Sequence, residues 1–343
     1  MTIQDLKTRI DVETMLTSAK ISFALDYIRV QGPARLVLRQ QAGNDMRDLG
    51  PAMPKAPDAG VQIGIASDSA SRPHREDSVV AIMAHFGDEQ AVTPVILAGV
   101  ADGVGGSANG HLASAIAIQV LTEVVLNQLA ASVVTLNPDL GVLDIERLLA
   151  KAINLANFRI IRDASGGSTT LTCALVIDRA AYIAHIGDCR AYLLNTEWQD
   201  MELITQDHRR ERKWRAFQIA SNERFTSHRL GHVLTRALGK NDPCEVDMTR
   251  RNLVNGTRLL LCSNGVWESV SPETIFAIVH QSDQTQDICE RLVTAAVVNR
   301  VQDDATAVLI KMPDSTDGAA ETRIELAQEA SIMSVMGLNQ VAQ

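Results

Sequence analysis

Three strand-like apolar runs, at 170–177, 181–186 and 191–194, follow one another with only three or four residues between them. A parallel crossover needs about a dozen residues or more, so strands this crowded pair antiparallel. That excludes a doubly wound parallel sheet. It predicts an α+β architecture in which antiparallel sheet carries helices on its outer faces. Further strands are predicted at 61–66, 78–84, 95–100, 201–205, 258–262 and 306–312. Helical periodicity marks 113–129, 145–161, 272–280 and 286–300, with Ser271 as cap and Pro272 at the first position of the third of these.

A chain of 343 residues, 46% hydrophobic and 21% charged, holds one large core plus extensions. Its net charge of −9 lacks the basic footprint of a general nucleic-acid binder. Without an unbroken apolar run of about 18 residues, no membrane span is expected. The opening residues lack the basic-then-apolar order of a secretory signal, so a cytoplasmic location is expected. Five cysteines, at 173, 189, 244, 262 and 289, form no Cys-x-x-Cys pair and read as reduced, buried small hydrophobes.

Three regions are expected: an N-terminal extension and linker over 1–58, a main domain over 59–313, and a polar tail over 314–343. Val12, Met15, Leu16, Ala19 and Phe23 recur at helical spacing within 11–30, and Pro51, Pro54 and Pro57 mark the linker. Residues 1–57 read either as a partner-docking element or as one more helix packed on the main domain.

The chemistry is suggested by acidic turns. Asp102 stands on a glycine-rich turn directly after the run 95–100, and Glu76-Asp77, Asp188, Asn264 and Asp303-Asp304 occupy comparable places elsewhere. A single Asp-Gly turn is commonplace. Five acidic or acid-like loops at strand ends are a donor set for hard divalent cations, which take oxygen ligands.

In chain order the loops read Arg72-Pro-His-Arg-Glu-Asp77, Ala101-Asp-Gly-Val-Gly-Gly106, Gly167-Ser-Thr169, His185-Ile-Gly-Asp-Cys-Arg190, Leu261-Cys-Ser-Asn-Gly265 and Gln302-Asp-Asp-Ala-Thr306. Over roughly residues 60–312 this series resembles the metal-dependent Ser/Thr protein phosphatases of type 2C, in the glycine-rich form of bacterial members. The resemblance implies two antiparallel sheets packed as a sandwich with helices on both sides (α-β-β-α). It implies hydrolysis of phosphoserine or phosphothreonine in a phosphorylated protein by a metal-activated water, with two Mn²⁺ or Mg²⁺ ions. In that scheme Asp102 bridges both metals, Gly103 lends its backbone oxygen, and Asp303 binds one ion. Glu76 and Asp77 hold metal-bound waters or one ion, Asn264 stands at a ligand position, and Arg72 grips the phosphate as a guanidinium fork. Asp163 lies near the place where some members bind a third metal.

The departures from the pattern are specific. Where the family carries a ligand Asp, this chain has Asn264. A unit charge about 4 Å from a cation is worth roughly 4 kcal/mol at an effective dielectric of about 20, and about double for a divalent ion. Three explanations stand open: an inactivating substitution, a catalytically impaired pseudophosphatase that binds a phosphorylated partner without turnover, or a charge restored by Asp304, where many members have Asn. Val104 stands where many eukaryotic members have His. Asp188 is expected to hold a turn with Arg190. The segment 207–232 corresponds to the family's variable flap. There Arg209, Arg210 and Arg212, with Lys213 and Arg215 around Trp214, form either a basic lip for the substrate or a solvated helical face.

Overall fold

A computed structural model describes residues 22–31, 60–69, 75–87, 92–105, 107–134, 144–195, 200–210, 233–240, 243–299, 301 and 303–314. The elements run β1 (Ser22–Gln31), β2 (Gln62–Asp68), β3 (Asp77–Gly87), β4 (Val92–Asp102), α1 (Gly110–Val134), α2 (Ile145–Asp163), β5 (Leu171–Ile177), β6 (Ala180–Ile186), β7 (Arg190–Asn195), β8 (Asp200–Leu203), β9 (Asp247–Asn252), β10 (Thr257–Cys262), α3 (Asn264–Ser269), α4 (Pro272–Gln281), α5 (Thr285–Val298) and β11 (Ala305–Lys311). One sheet has six strands in the order β1-β3-β4-β5-β6-β9, the other five in the order β2-β11-β10-β7-β8. Every pairing is antiparallel.

Strand alternation builds the layers. In β3, Val79 and Ala81 face the second sheet and meet Ile65, Leu259, Leu261, Val308 and Ile310 in an apolar seam between the sheets. Val80 and Ile82 point the other way, onto Ile118 and Leu121 of α1 and Leu149 and Ile153 of α2. On the far side, Leu260 and Leu309 pack against Val266, Ile275, Ile288 and Leu292 of the C-terminal helices. Central strands are thus buried on both faces, so they appear in the sequence as nearly continuous apolar runs. The result is the expected α-β-β-α order.

Local signals explain the helix starts. Ser271 accepts the Thr274 N–H at 3.3 Å, with Pro272 opening α4. Asp144 accepts the Arg147 N–H at 3.0 Å before α2. By length and hydropathy Gly110–Leu129 of α1 would pass for a membrane span, contrary to the sequence reading. Most of that window is buried inside the protein, as befits a core helix. All five cysteines are free thiols, four of them buried and Cys244 partly so.

One expectation about the elements needs correction. The helical reading of 11–30 fails for its second half, because Ser22–Gln31 is a strand paired along β3 from Ser22↔Gly87 to Gln31↔Val79. Part of the extension is therefore an edge strand of the larger sheet. The first half, and the weak helix read at 321–333, lie outside the described residues. β9, a polar strand at the other edge of that sheet, and the short α3 were not foreseen.

Candidate active site

The functional loops gather because the ends of four strands share one rim of the sandwich. Asp77 opens β3, Asp102 closes β4, and the two stand opposite each other in the ladder. In the second sheet, β10 ends at Cys262 just before Asn264, and β11 begins at Ala305 just after Asp303 and Asp304. Side chains stitch the rims together. Asp304 Oδ2 accepts the backbone N–H of Glu76 at 2.5 Å and of Asp77 at 2.9 Å. Thr306 Oγ1 donates to Asp77 Oδ2 at 2.6 Å. Ser263 Oγ accepts the Thr306 N–H at 3.0 Å and donates to the Asp304 carbonyl at 3.4 Å.

Close backbone approach demands glycine at two points. A Cβ on Gly265 would collide with the Asp304 carbonyl oxygen, and one on Gly103 would sit 2.6 Å from the Gly110 backbone. The Asp102 carbonyl is clamped by the Thr170 N–H and the Thr169 hydroxyl, each at 2.8 Å, which fixes the turn that presents its carboxylate.

The electrostatics are those of a carboxylate cluster awaiting positive charge. Burial, then Asp304, pushes Asp77 well above the usual carboxylate range, against hydrogen bonds from Thr306 and Ser263. Burial, then Asp77, Asp303, Asp188 and Asp304, does the same to Asp102, which is 5% exposed. Asp77 Oδ1, Asn264 Oδ1 and Asp304 Oδ1 are buried without a hydrogen-bond partner. Orphaned buried oxygens beside like charges fit a hard divalent cation. Among the described residues no three His, Cys, Asp or Glu side chains already close into a cage.

A second network braces α3. Arg209 is buried and bonds Asp188 at 2.6 Å and Glu268 at 2.5 Å. Arg190 makes a fork to Asp207 at 3.0 and 2.8 Å. Both guanidiniums lie over Trp267, with Arg190 3.4 Å and Arg209 4.7 Å from the ring centroid. Trp267 Nε1 donates to the Asp188 carbonyl at 3.0 Å. These contacts lock the helix that begins at Asn264. Behind them His185, buried, bonds Thr172 Oγ1 at 2.8 Å and the Gln206 carbonyl at 3.1 Å, and burial pushes its pKa down to about 4.

Three site expectations change here. Arg209 is not part of an exposed lip, because it is consumed by two buried carboxylate bonds; Arg210 beside it is exposed. Asp188 is structural, but its partner is Arg209, not Arg190. Asp163 ends α2 with its carboxylate held by Arg159 at 2.9 Å and Arg162 at 2.6 Å, so guanidinium already neutralises this candidate for a third metal. Arg72 and Arg212 lie outside the described residues. Trp267 and Glu268 were missed, since a contact across 58 or more positions leaves no spacing signal.

The chain belongs to the Protein phosphatase 2C family, which it matches over residues 66–305, and is a metal-dependent protein serine/threonine phosphatase. It is 28% identical over 224 residues to the serine/threonine phosphatase stp of Listeria innocua, covering 64% of this chain and 84% of that one. It is 30% identical over 227 residues to the serine/threonine protein phosphatase PstP of Mycobacterium tuberculosis, covering 66% of this chain and 42% of the other. The crystal structure of PstP/Ppp from M. tuberculosis matches with a TM-score of 0.58 at 27% identity, over 74% of this chain and 99% of that one. A catalytic domain of PstP in complex with two manganese ions gives 0.57 at 27%, with the same coverage.

Proposed function

We propose that this phosphatase holds two Mn²⁺ or Mg²⁺ ions through Glu76, Asp77, Asp102, the Gly103 carbonyl, Asn264 and Asp303, and that Arg72 grips the phosphate of a phosphorylated protein. The observation carrying this reading is the junction of Asp77, Asp102 and Asp303-Asp304 at one rim, with buried oxygens left unpartnered. When bound, the ions acidify a water, neutralise the phosphoryl group and favour in-line displacement. The chain's part is positional. The β3–β4 ladder sets the spacing of Asp77 and Asp102, and the Thr169 and Thr170 clamp holds the Asp102 turn rigid. Trp267 and its guanidiniums keep Asn264 in place. Val104 has no acid–base side chain, and in this reading the leaving serine or threonine oxygen takes its proton from solvent. Arg210, exposed where the flap departs, is the remaining described candidate for drawing acidic substrate segments to the rim.

The test is release of phosphate from a phosphothreonine peptide, with and without Mn²⁺. Metal-dependent turnover that Asp102→Ala reduces by at least about a hundredfold is expected. Turnover that is indifferent to metal, or retained in Asp102→Ala, overturns the assignment.

A further inference from the structure

The fully buried Asp304 is a charge the scheme above does not use. Its Oδ2 accepts two backbone N–H groups, from Glu76 and Asp77, while its Oδ1 has no partner. Among the described residues no Arg, Lys or His forms an ion pair with it, and Asp77 is a neighbouring like charge. An uncompensated buried carboxylate is strongly unfavourable unless a cation meets it. Two neutral N–H donors orient such a group without cancelling its charge. The segment packed against it carries Asn264, an oxygen donor that brings no charge and whose Oδ1 is likewise buried and unpartnered. The two segments are joined: Gly265 rests against the Asp304 carbonyl, and Ser263 bonds both the Asp304 carbonyl and the Thr306 N–H.

We infer that Asn264 and Asp304 are a charge-exchanged pair, in which Asp304 supplies the metal centre with the negative charge that Asn264 lacks. Asp304 acts as a positioning and charge-bearing residue. It draws cations toward the rim while its two backbone bonds hold Glu76 and Asp77 in line. The total carboxylate charge of the rim is then complete although one ligand position is an amide. This rests on the reading that the rim holds divalent metal.

Mn²⁺ titration by calorimetry on the full chain tests it, in wild type, Asp304→Asn, Asn264→Asp and the double variant, with circular dichroism melts of the metal-free proteins as a check on folding. Asp304→Asn keeps an acceptor for both N–H groups, and its Mn²⁺ affinity is expected to fall about 10- to 100-fold. The double variant, which moves the carboxylate back to position 264, is expected to return within about threefold of wild type. Asn264→Asp alone, which leaves Asp304 untouched, is expected to gain less than about tenfold, because the charge is already supplied. Wild-type affinity in Asp304→Asn overturns the inference and leaves the metal centre standing. So does failure of the double variant to recover, or a gain of a hundredfold or more in Asn264→Asp. Absence of any Mn²⁺ binding by the wild type overturns the metal centre and this inference together.

Discussion

Asp77 and Asp102 face each other as a matched pair at the end of the β3–β4 ladder, both buried and both carboxylates. Like charges directly opposed across strands are destabilising, and no structural requirement of a sheet calls for them. Burial first, then Asp304 for Asp77 and Asp77 for Asp102, holds both protons on well above the ordinary range. In the metal-free protein each carboxylate therefore contributes stability that is present below its unfolded value, about 3.9, and lost as pH rises toward the folded value.

Asp102→Asn removes that penalty. Without metal the variant should melt above the wild type, by about 2–4 °C for each kcal/mol relieved, and the gap should widen as pH rises from about 4. Saturating Mn²⁺ should reverse the order, since only the wild type gains the full binding energy. Thermal melts across pH, with and without Mn²⁺, read both effects.

Arg209→Met leaves Asp188 buried without its guanidinium. Loss of one partner of a buried pair costs about 3–5 kcal/mol, visible as a lower urea midpoint. Adding Asp188→Asn to Arg209→Met should recover a large part of that loss. Arg210→Glu, at an exposed position, should leave the unfolding free energy within about 0.5 kcal/mol of wild type.

Gly265→Ala forces a Cβ onto the Asp304 carbonyl. Overpacking of this kind destabilises by about 1–3 kcal/mol. Because the same contact sets the spacing between Asn264 and Asp303-Asp304, metal-dependent turnover should fall much further than stability does. A parallel loss in both would mean the contact serves folding only.

His185 has its folded pKa lowered to about 4 by burial, against about 6.5 when unfolded. Its contribution is fully present above about 6.5 and is lost as pH falls toward about 4, up to roughly 3 kcal/mol. His185→Asn, which retains a polar partner for Thr172, should flatten the acid limb of the stability profile measured by urea unfolding.

Much of this was legible in the sequence, for physical reasons. β10 and β11 are buried on both faces, so Arg-Leu-Leu-Leu-Cys and Ala-Thr-Ala-Val-Leu-Ile-Lys announce themselves as apolar runs. β9, Asp-Met-Thr-Arg-Arg-Asn, is a polar edge strand made by its pairing with β6, and nothing local marks it. The Ser22–Gln31 strand lost to a helical spacing that continues into it, because only β3 decides its conformation. At the site, Asp-Gly turns after strands could be read directly. The partners of Asp188 and Arg209 could not, since their bonds span 21 and 59 positions. One partner of Asp163 was legible, since Arg159 stands one helical turn before it, a pair the i,i+4 rule already makes.

In the proposed metal centre, Asp77, Asp102 and Asp303 meet around paired divalent cations. Anomalous diffraction from crystals grown with Mn²⁺ tests it most directly. Two manganese peaks flanking the Asp102 carboxylate, with Asp303 against one of them, are the predicted result. Manganese absent from this rim, or bound only elsewhere on the molecule, would contradict the account.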